Sequence, residues 1–217
     1  MFNKIVYGLG ILASLGLSAA AYFQKLPFSF TETLGFVTGA WCVWLTVKEN
    51  IWNWPIGIAN SAFFLILFWQ SSLFADAALQ IVYIILGILG WYWWLYGGAK
   101  KTELPISKAP RREWIWLAIL LALGTWAEFA ILVHAHDAAP FLDALTTAMS
   151  LVAQYLLTKK RMENWYIWMS VDVIYVYLYI IKDLYLTAFL YAIFFLMCVR
   201  GLVEWKRTHA KHLSLQK

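Results

Sequence analysis

Polar side chains recur at helical spacing inside the most apolar parts of this chain. Asn53, Gly57, Asn60 or Ser61 and Phe64 share one helical face, and Asp76, Gln80, Tyr83, Gly87 and Gly90 share another. The same spacing relates Asp143, Thr147, Ser150 and Gln154, and then Trp165, Trp168, Asp172, Tyr175 and Tyr179. Amides, hydroxyls and a carboxylate set among aromatic rings can hydrogen-bond a polar ligand and attract a cation. Asp172 carries the most weight, because it lies midway along the apolar stretch 164–181. An ionised carboxylate at bilayer mid-depth costs at least ~2.5 kcal/mol, so it calls for a partner, a ligand or water. A protonated carboxyl, or one tied to a tyrosine in helix packing, is the alternative. Taken singly, Asn60, Gln80 and Gln154 read first as interhelical glue, and four such stripes together weaken that reading. Trp41, Trp44 and Trp168 stand deeper than an interfacial belt and suit either stacking on a flat or cationic ring or packing in the core.

Other chemistries are missing. There is no nucleophile turn, no glycine-rich phosphate loop and no pair of intramembrane histidines, so neither an enzyme nor a cofactor or metal is expected. His134 and His136 fall at a helix end, and His209 and His212 in a basic tail. Cys42 and Cys198 lie inside apolar spans and read as packing residues.

The elements that must position these residues follow from composition. Of 217 residues 63% are hydrophobic and 13% charged, with a mean hydropathy of +0.66, which makes this an integral membrane protein. Charge-free windows at 5–24, 50–75 and 77–99 have the length that a bilayer requires. Turn-like and charged clusters divide the chain into eight spans near 5–23, 32–47, 54–69, 73–97, 112–134, 142–158, 164–181 and 183–205. The first reads as an anchor helix rather than a cleaved signal. Of the 17 Lys and Arg residues, all but Lys25 and Lys182 fall on one side of this arrangement. That bias places both termini in the cytoplasm. The net charge of +5 is thus a topology signal and not a nucleic-acid footprint.

Displacing the chain against itself by 111 residues aligns Lys48 with Lys159, Asn53 with Asn164, Trp54 with Trp165, Gly90 with Gly201 and Trp94 with Trp205. The expected fold is all-α: eight transmembrane helices, forming two parallel three-helix repeats joined by a linker helix, plus an extra N-terminal helix without a counterpart. The boundaries are 1–30 for the extra helix, 31–98 for the first bundle, 99–138 for a basic loop and linker helix, 139–207 for the second bundle and 208–217 for a cytoplasmic tail. Asn53 at a helix start reads as a cap, and Trp54 as an interfacial anchor. Repeats of this kind favour a transporter over a membrane enzyme or a scaffold.

The stretches NWPIGIAN at 53–60, FADAALQIVY at 74–83, GWYWW at 90–94 and NWYIWMSVDVIYVYLY at 164–179 resemble the PnuC family of bacterial nicotinamide riboside transporters, over roughly residues 30 to 205. The resemblance implies a fold similar to the sugar-carrying SWEET proteins, in the bacterial inner membrane, assembled as a homo-oligomer such as a trimer. It implies facilitated diffusion of nicotinamide riboside, a precursor of NAD, followed by phosphorylation that traps it in the cytoplasm. Relatives of the family carry riboflavin or thiamine. On this basis Trp41, Trp44 and Trp168 are assigned to ring stacking or gating, and Asn60, Gln80, Tyr83, Gln154, Asp172 and Tyr175 to polar contacts.

Overall fold

The computed structural model of the chain describes residues 2–25, 30–70, 74–134, 139–181, 183 and 185–215. Among them are eight α-helices: α1 (Phe2–Tyr22), α2 (Phe30–Val47), α3 (Asn53–Gln70), α4 (Phe74–Tyr96), α5 (Arg111–His134), α6 (Pro140–Thr158), α7 (Asn164–Ile181) and α8 (Tyr185–Leu215). By length and hydropathy, stretches of α4, α5, α6 and α8 can cross a bilayer, and shorter apolar stretches lie in α1 and α2. The Asn, Trp and Tyr residues of α3 and α7 lower the hydropathy of those two helices. α5 turns Ile115, Ile119, Leu123 and Trp126 outward, which only a hydrocarbon or protein neighbour accommodates well. α8 runs about ten residues past the expected end of its span, through a charged segment that leaves the apolar zone without breaking the helix.

Helix ends follow local rules. Pro140 opens α6, where its missing N–H costs nothing. α2 closes with Asn50 N–H donating to Leu45 O at 2.9 Å and Glu49 N–H to Thr46 O at 3.0 Å. α6 closes likewise, Arg161 N–H donating to Leu156 O at 2.8 Å and Lys160 N–H to Leu157 O at 2.9 Å. Each is a Schellman ending, whose penultimate residue must be left-handed. Glu49 and Lys160 both have φ of 53°. A non-glycine residue there costs about 1 kcal/mol, so its side chain needs a reason to be present.

That reason lies at the interface between α2–α4 and α6–α8, where contacts come in pairs 111 residues apart. The Lys160 ammonium meets the Glu49 carboxylate at 3.0 Å. Trp94 donates its indole N–H to Leu157 O at 3.1 Å, and Trp205 donates to Thr46 O at 3.1 Å. The Lys159 ammonium stands 3.1 Å from the Trp93 ring centre; at the matching positions Lys48 meets Glu204 at 3.1 Å. Burial lowers the Lys159 pKa below the ordinary lysine value. The indoles form a buried chain: Trp54 against Trp94, Trp94 against Trp205 and Trp205 against Trp165, with ring centres 5.4, 5.9 and 5.4 Å apart. Gly90 and Gly201 admit the Trp54 and Trp165 rings, with which any Cβ would collide.

α2 packs on α8 as α6 packs on α4, while α1 lies on α2 as α5 lies on α6. Displaced by 111, residues 2–22 fall within α5. α1 and α5 therefore stand at like positions beside α2 and α6, α5 packed more closely than α1. Few identities betray this, because faces turned to hydrocarbon accept any apolar residue.

Candidate functional site

Two cavities of about 260 and 170 Å³ lie between the two sets of helices and share Gly39, Cys42, Thr46, Gln154 and Leu157 in their walls. The larger is completed by α7 and α8, through Trp168, Asp172, Tyr191, Phe194 and Cys198, and the smaller by α3 and α4, through Gly57, Asn60, Ser61, Tyr83 and Gly87. At their basic end the tryptophan chain closes the interface.

Asp172 is 5% exposed, and its Oδ2 accepts from the Cys198 thiol at 3.5 Å, a weak donor for a carboxylate. Around it the Tyr191 ring packs on Tyr175 at 4.7 Å and on Tyr179 at 5.3 Å. The opposite wall is amide and hydroxyl: Asn60 donates to Thr38 Oγ1, which in turn donates to Leu34 O at 2.7 Å. Tyr83 stands beside Ser150 on the facing helix.

Both ends of the Asn-Trp repeat also reach the cavities. Asn53 and Trp54 line the smaller, and Asn164 and Trp165 the larger. Neither asparagine caps its helix as expected: Asn53 Nδ2 donates to Thr46 Oγ1 at 3.1 Å and Asn164 Nδ2 to Arg161 O at 2.6 Å. The Oδ1 atoms of both asparagines and the Nε1 atoms of both tryptophans are buried without a hydrogen-bond partner among the described residues. Each such group costs about 1–3 kcal/mol, and the four atoms have almost no accessible surface, so they lie just behind the cavity walls, where a ligand reaches them once their side chains turn. None of these four was among the substrate-contact residues expected from the sequence, although Asn53 and Trp165 belong to the stripes singled out there. The signal that marks them is their recurrence as adjacent pairs at the same helix start.

Of the residues expected at the site, Asn60, Tyr83, Gln154, Trp168 and Asp172 line the cavities. Tyr175 is one ring removed, packed behind Tyr191. Gln80 is half-buried one turn from Tyr83 and lines neither cavity. Trp41 and Trp44 face elsewhere, into a groove beside α1, where Trp41 donates to Ser14 Oγ at 2.9 Å.

A strap crosses the basic end. The segment between α4 and α5 inserts Ile106, 3% exposed, against the tryptophan cluster. Ser107 exchanges backbone bonds with Lys160 and Met162 at 3.2 and 2.9 Å, and His209 holds Ile106 O at 2.9 Å. Beneath it, Glu113 accepts from Tyr155 at 3.0 Å and attracts Arg161, whose Nε is 3.0 Å away but off the angle of a directed hydrogen bond.

Comparison with known proteins identifies the scaffold. The family model for the nicotinamide mononucleotide transporter matches residues 29–207. The chain belongs to that family. The nicotinamide riboside transporter PnuC of Escherichia coli is 28% identical over 221 residues, covering 90% of this chain and 91% of its own. The riboflavin/roseoflavin transporter RibM of Streptomyces davaonensis is 26% identical over 183 residues, covering 81% and 84%. A crystal structure of the vitamin B3 transporter PnuC superposes with a TM-score of 0.67 at 24% identity, covering 93% of this chain and 90% of that one, and shares its fold. The protein is thus a multi-pass membrane transporter of the PnuC family and not an enzyme.

Proposed function

We propose that the protein carries nicotinamide riboside across the bacterial inner membrane by facilitated diffusion, alternating access between two repeats around the shared cavity. The observation that carries this reading is Asp172, a buried carboxylate among aromatic rings in the cavity wall, to which, among the described residues, a thiol alone donates at hydrogen-bond distance. A pyridinium is a flat cation, attracted by a carboxylate and by the faces of Trp168 and Tyr191. Its ribose hydroxyls suit Asn60, Gln154, Tyr83 and the unpartnered groups of Asn53, Trp54, Asn164 and Trp165. Gln80 and Tyr175 hold the walls from behind. Trp41 and Trp44 are left out of the binding set, because they line the groove beside α1.

Eight transmembrane helices, with both termini on the basic, cytoplasmic side, fit the charge distribution. The paired contacts favour two three-helix repeats, α2–α4 and α6–α8, with α1 flanking the first and the linker helix α5 flanking the second. Uptake without ion coupling, trapping by a cytoplasmic phosphorylation, and assembly as a homo-oligomer such as a trimer are the parts that the family resemblance supports. The relative named for riboflavin supplies the competing substrate. Titration of the purified protein with nicotinamide riboside, riboflavin and thiamine, read by calorimetry, separates these: binding strongest for nicotinamide riboside is expected, and binding of riboflavin alone overturns the assignment.

A further inference from the structure

A groove of about 240 Å³ runs between α1 and the rest of the protein. Its walls are Gly10, Ser14 and Leu17 of α1, Phe36 and Trp44 of α2, and Met197 of α8. α1 rests on α2, and Met197 of α8 faces it across the groove. The hydroxyl of Ser14 donates to Gly10 O at 2.8 Å and accepts from Trp41. The groove therefore presents hydrocarbon and ring surface, and its polar groups are engaged with one another.

Its basic end is different. Lys48 follows Trp44 by one helical turn and Arg200 follows Met197 by nearly one, so both continue the groove walls past the apolar zone. Both cations lie over the Trp44 ring, at 5.3 Å for the Lys48 ammonium and 4.7 Å for the Arg200 guanidinium. They share one carboxylate, Glu204 Oε1, at 3.1 and 3.9 Å, which leaves the cluster with a net positive charge. The Arg200 side chain is 44% exposed.

We propose that this groove binds an anionic phospholipid, with an acyl chain along α1 and the phosphate on Arg200 and Lys48, in the leaflet that faces the basic loops. A guanidinium matches phosphate oxygens in a fork, and basic pockets between transmembrane helices are suited to acidic headgroups. A neutral lipid would leave the excess charge unmatched, and a free anion would leave the groove unfilled. α2 carries the groove on one face and, through Cys42 and Thr46, the central cavity on another, so the lipid bears on a wall of the transport site.

The test is native mass spectrometry of the full-length protein in detergent with phosphatidylglycerol or phosphatidylcholine of the same acyl chains. Retention of phosphatidylglycerol is expected to exceed that of phosphatidylcholine by roughly tenfold. Arg200→Gln combined with Lys48→Gln removes the preference, and Arg200→Lys keeps most of it. Ala13 also lines the groove, so Ala13→Phe fills it, leaves the cations in place and lowers phosphatidylglycerol retention to a similar extent, while inorganic phosphate does not displace the lipid. Equal retention of the two lipids overturns the proposal. So does displacement by phosphate with indifference to Ala13→Phe, the mark of a free-anion site. Loss of oligomers in lipid-free detergent on Ala13→Phe overturns it in favour of a second copy of the chain.

Discussion

Glu49 and Lys160 occupy positions 111 residues apart, both end a helix in the left-handed conformation, and their side chains meet each other at 3.0 Å across the interface. On the two-repeat arrangement proposed above, equivalent positions that contact one another lie close to the axis relating the two sets of helices. The charges are therefore exchangeable. Lys160 is buried and Glu49 half-buried, so removing one partner costs more than the ~0–1 kcal/mol of a surface pair and less than the ~3–5 kcal/mol of a fully buried one. Glu49→Lys and Lys160→Glu alone are expected to lower the thermal midpoint by several degrees, and the double exchange to restore most of it. A double variant as unstable as the two losses added together would show that these positions are not equivalent.

Gly90→Ala and Gly201→Ala should each destabilise the protein strongly, because the new methyl group lands in the Trp54 or Trp165 ring. Gly124→Ala is the contrast: its Cβ would stand 3.6 Å from that of Ala148, an ordinary contact. Thermal unfolding of the three variants is expected to put the first two well below wild type and the third close to it.

These two sets of residues show what the sequence made legible. Glycines and tryptophans that recur at one offset are constrained by contacts on both sides, so Gly90, Trp94 and their partners could be found without coordinates. Depth in the bilayer was equally readable, from charge and from position along each apolar run. Azimuth was not. A tryptophan is at home against lipid, a neighbouring helix or a ligand, so nothing in the sequence turned Trp41 and Trp44 toward α1, or brought Trp54 and Trp165 to the cavity walls. Asp172 was legible because a carboxylate, unlike an indole, has few acceptable places in a membrane.

The unpartnered groups of the cavity predict an asymmetry between binding and stability. Trp165→Phe removes a buried donor that has no partner, so stability changes by less than the ~3–5 kcal/mol usual for a truncated core aromatic. Affinity for nicotinamide riboside should nevertheless fall by roughly tenfold, the worth of one hydrogen bond to a ligand. Calorimetric titration and thermal unfolding of the same sample check both. Unchanged affinity would remove Trp165 from the binding set.

Topology is open to labelling in cells. Single cysteines at the exposed positions Lys101 and Lys211 should resist a membrane-impermeant maleimide until the cells are opened, whereas one at Gln24 should react at once. Cys42 and Cys198 are replaced first, so that the introduced thiol alone reports. Reaction of Lys101→Cys and Lys211→Cys in intact cells would invert the assigned orientation.

The central claim, that Asp172 in the cavity between the two sets of helices binds the substrate being carried, is tested most directly by the initial rate of labelled nicotinamide riboside uptake into proteoliposomes with no ion gradient. Wild-type protein is predicted to give saturable uptake that stops at equal concentrations inside and out. Asp172→Asn should slow it by roughly tenfold or more, while Ser170→Ala, two residues away on the exposed face of α7, leaves it unchanged. No uptake by the wild type, or equal rates for wild type and Asp172→Asn, would contradict the account.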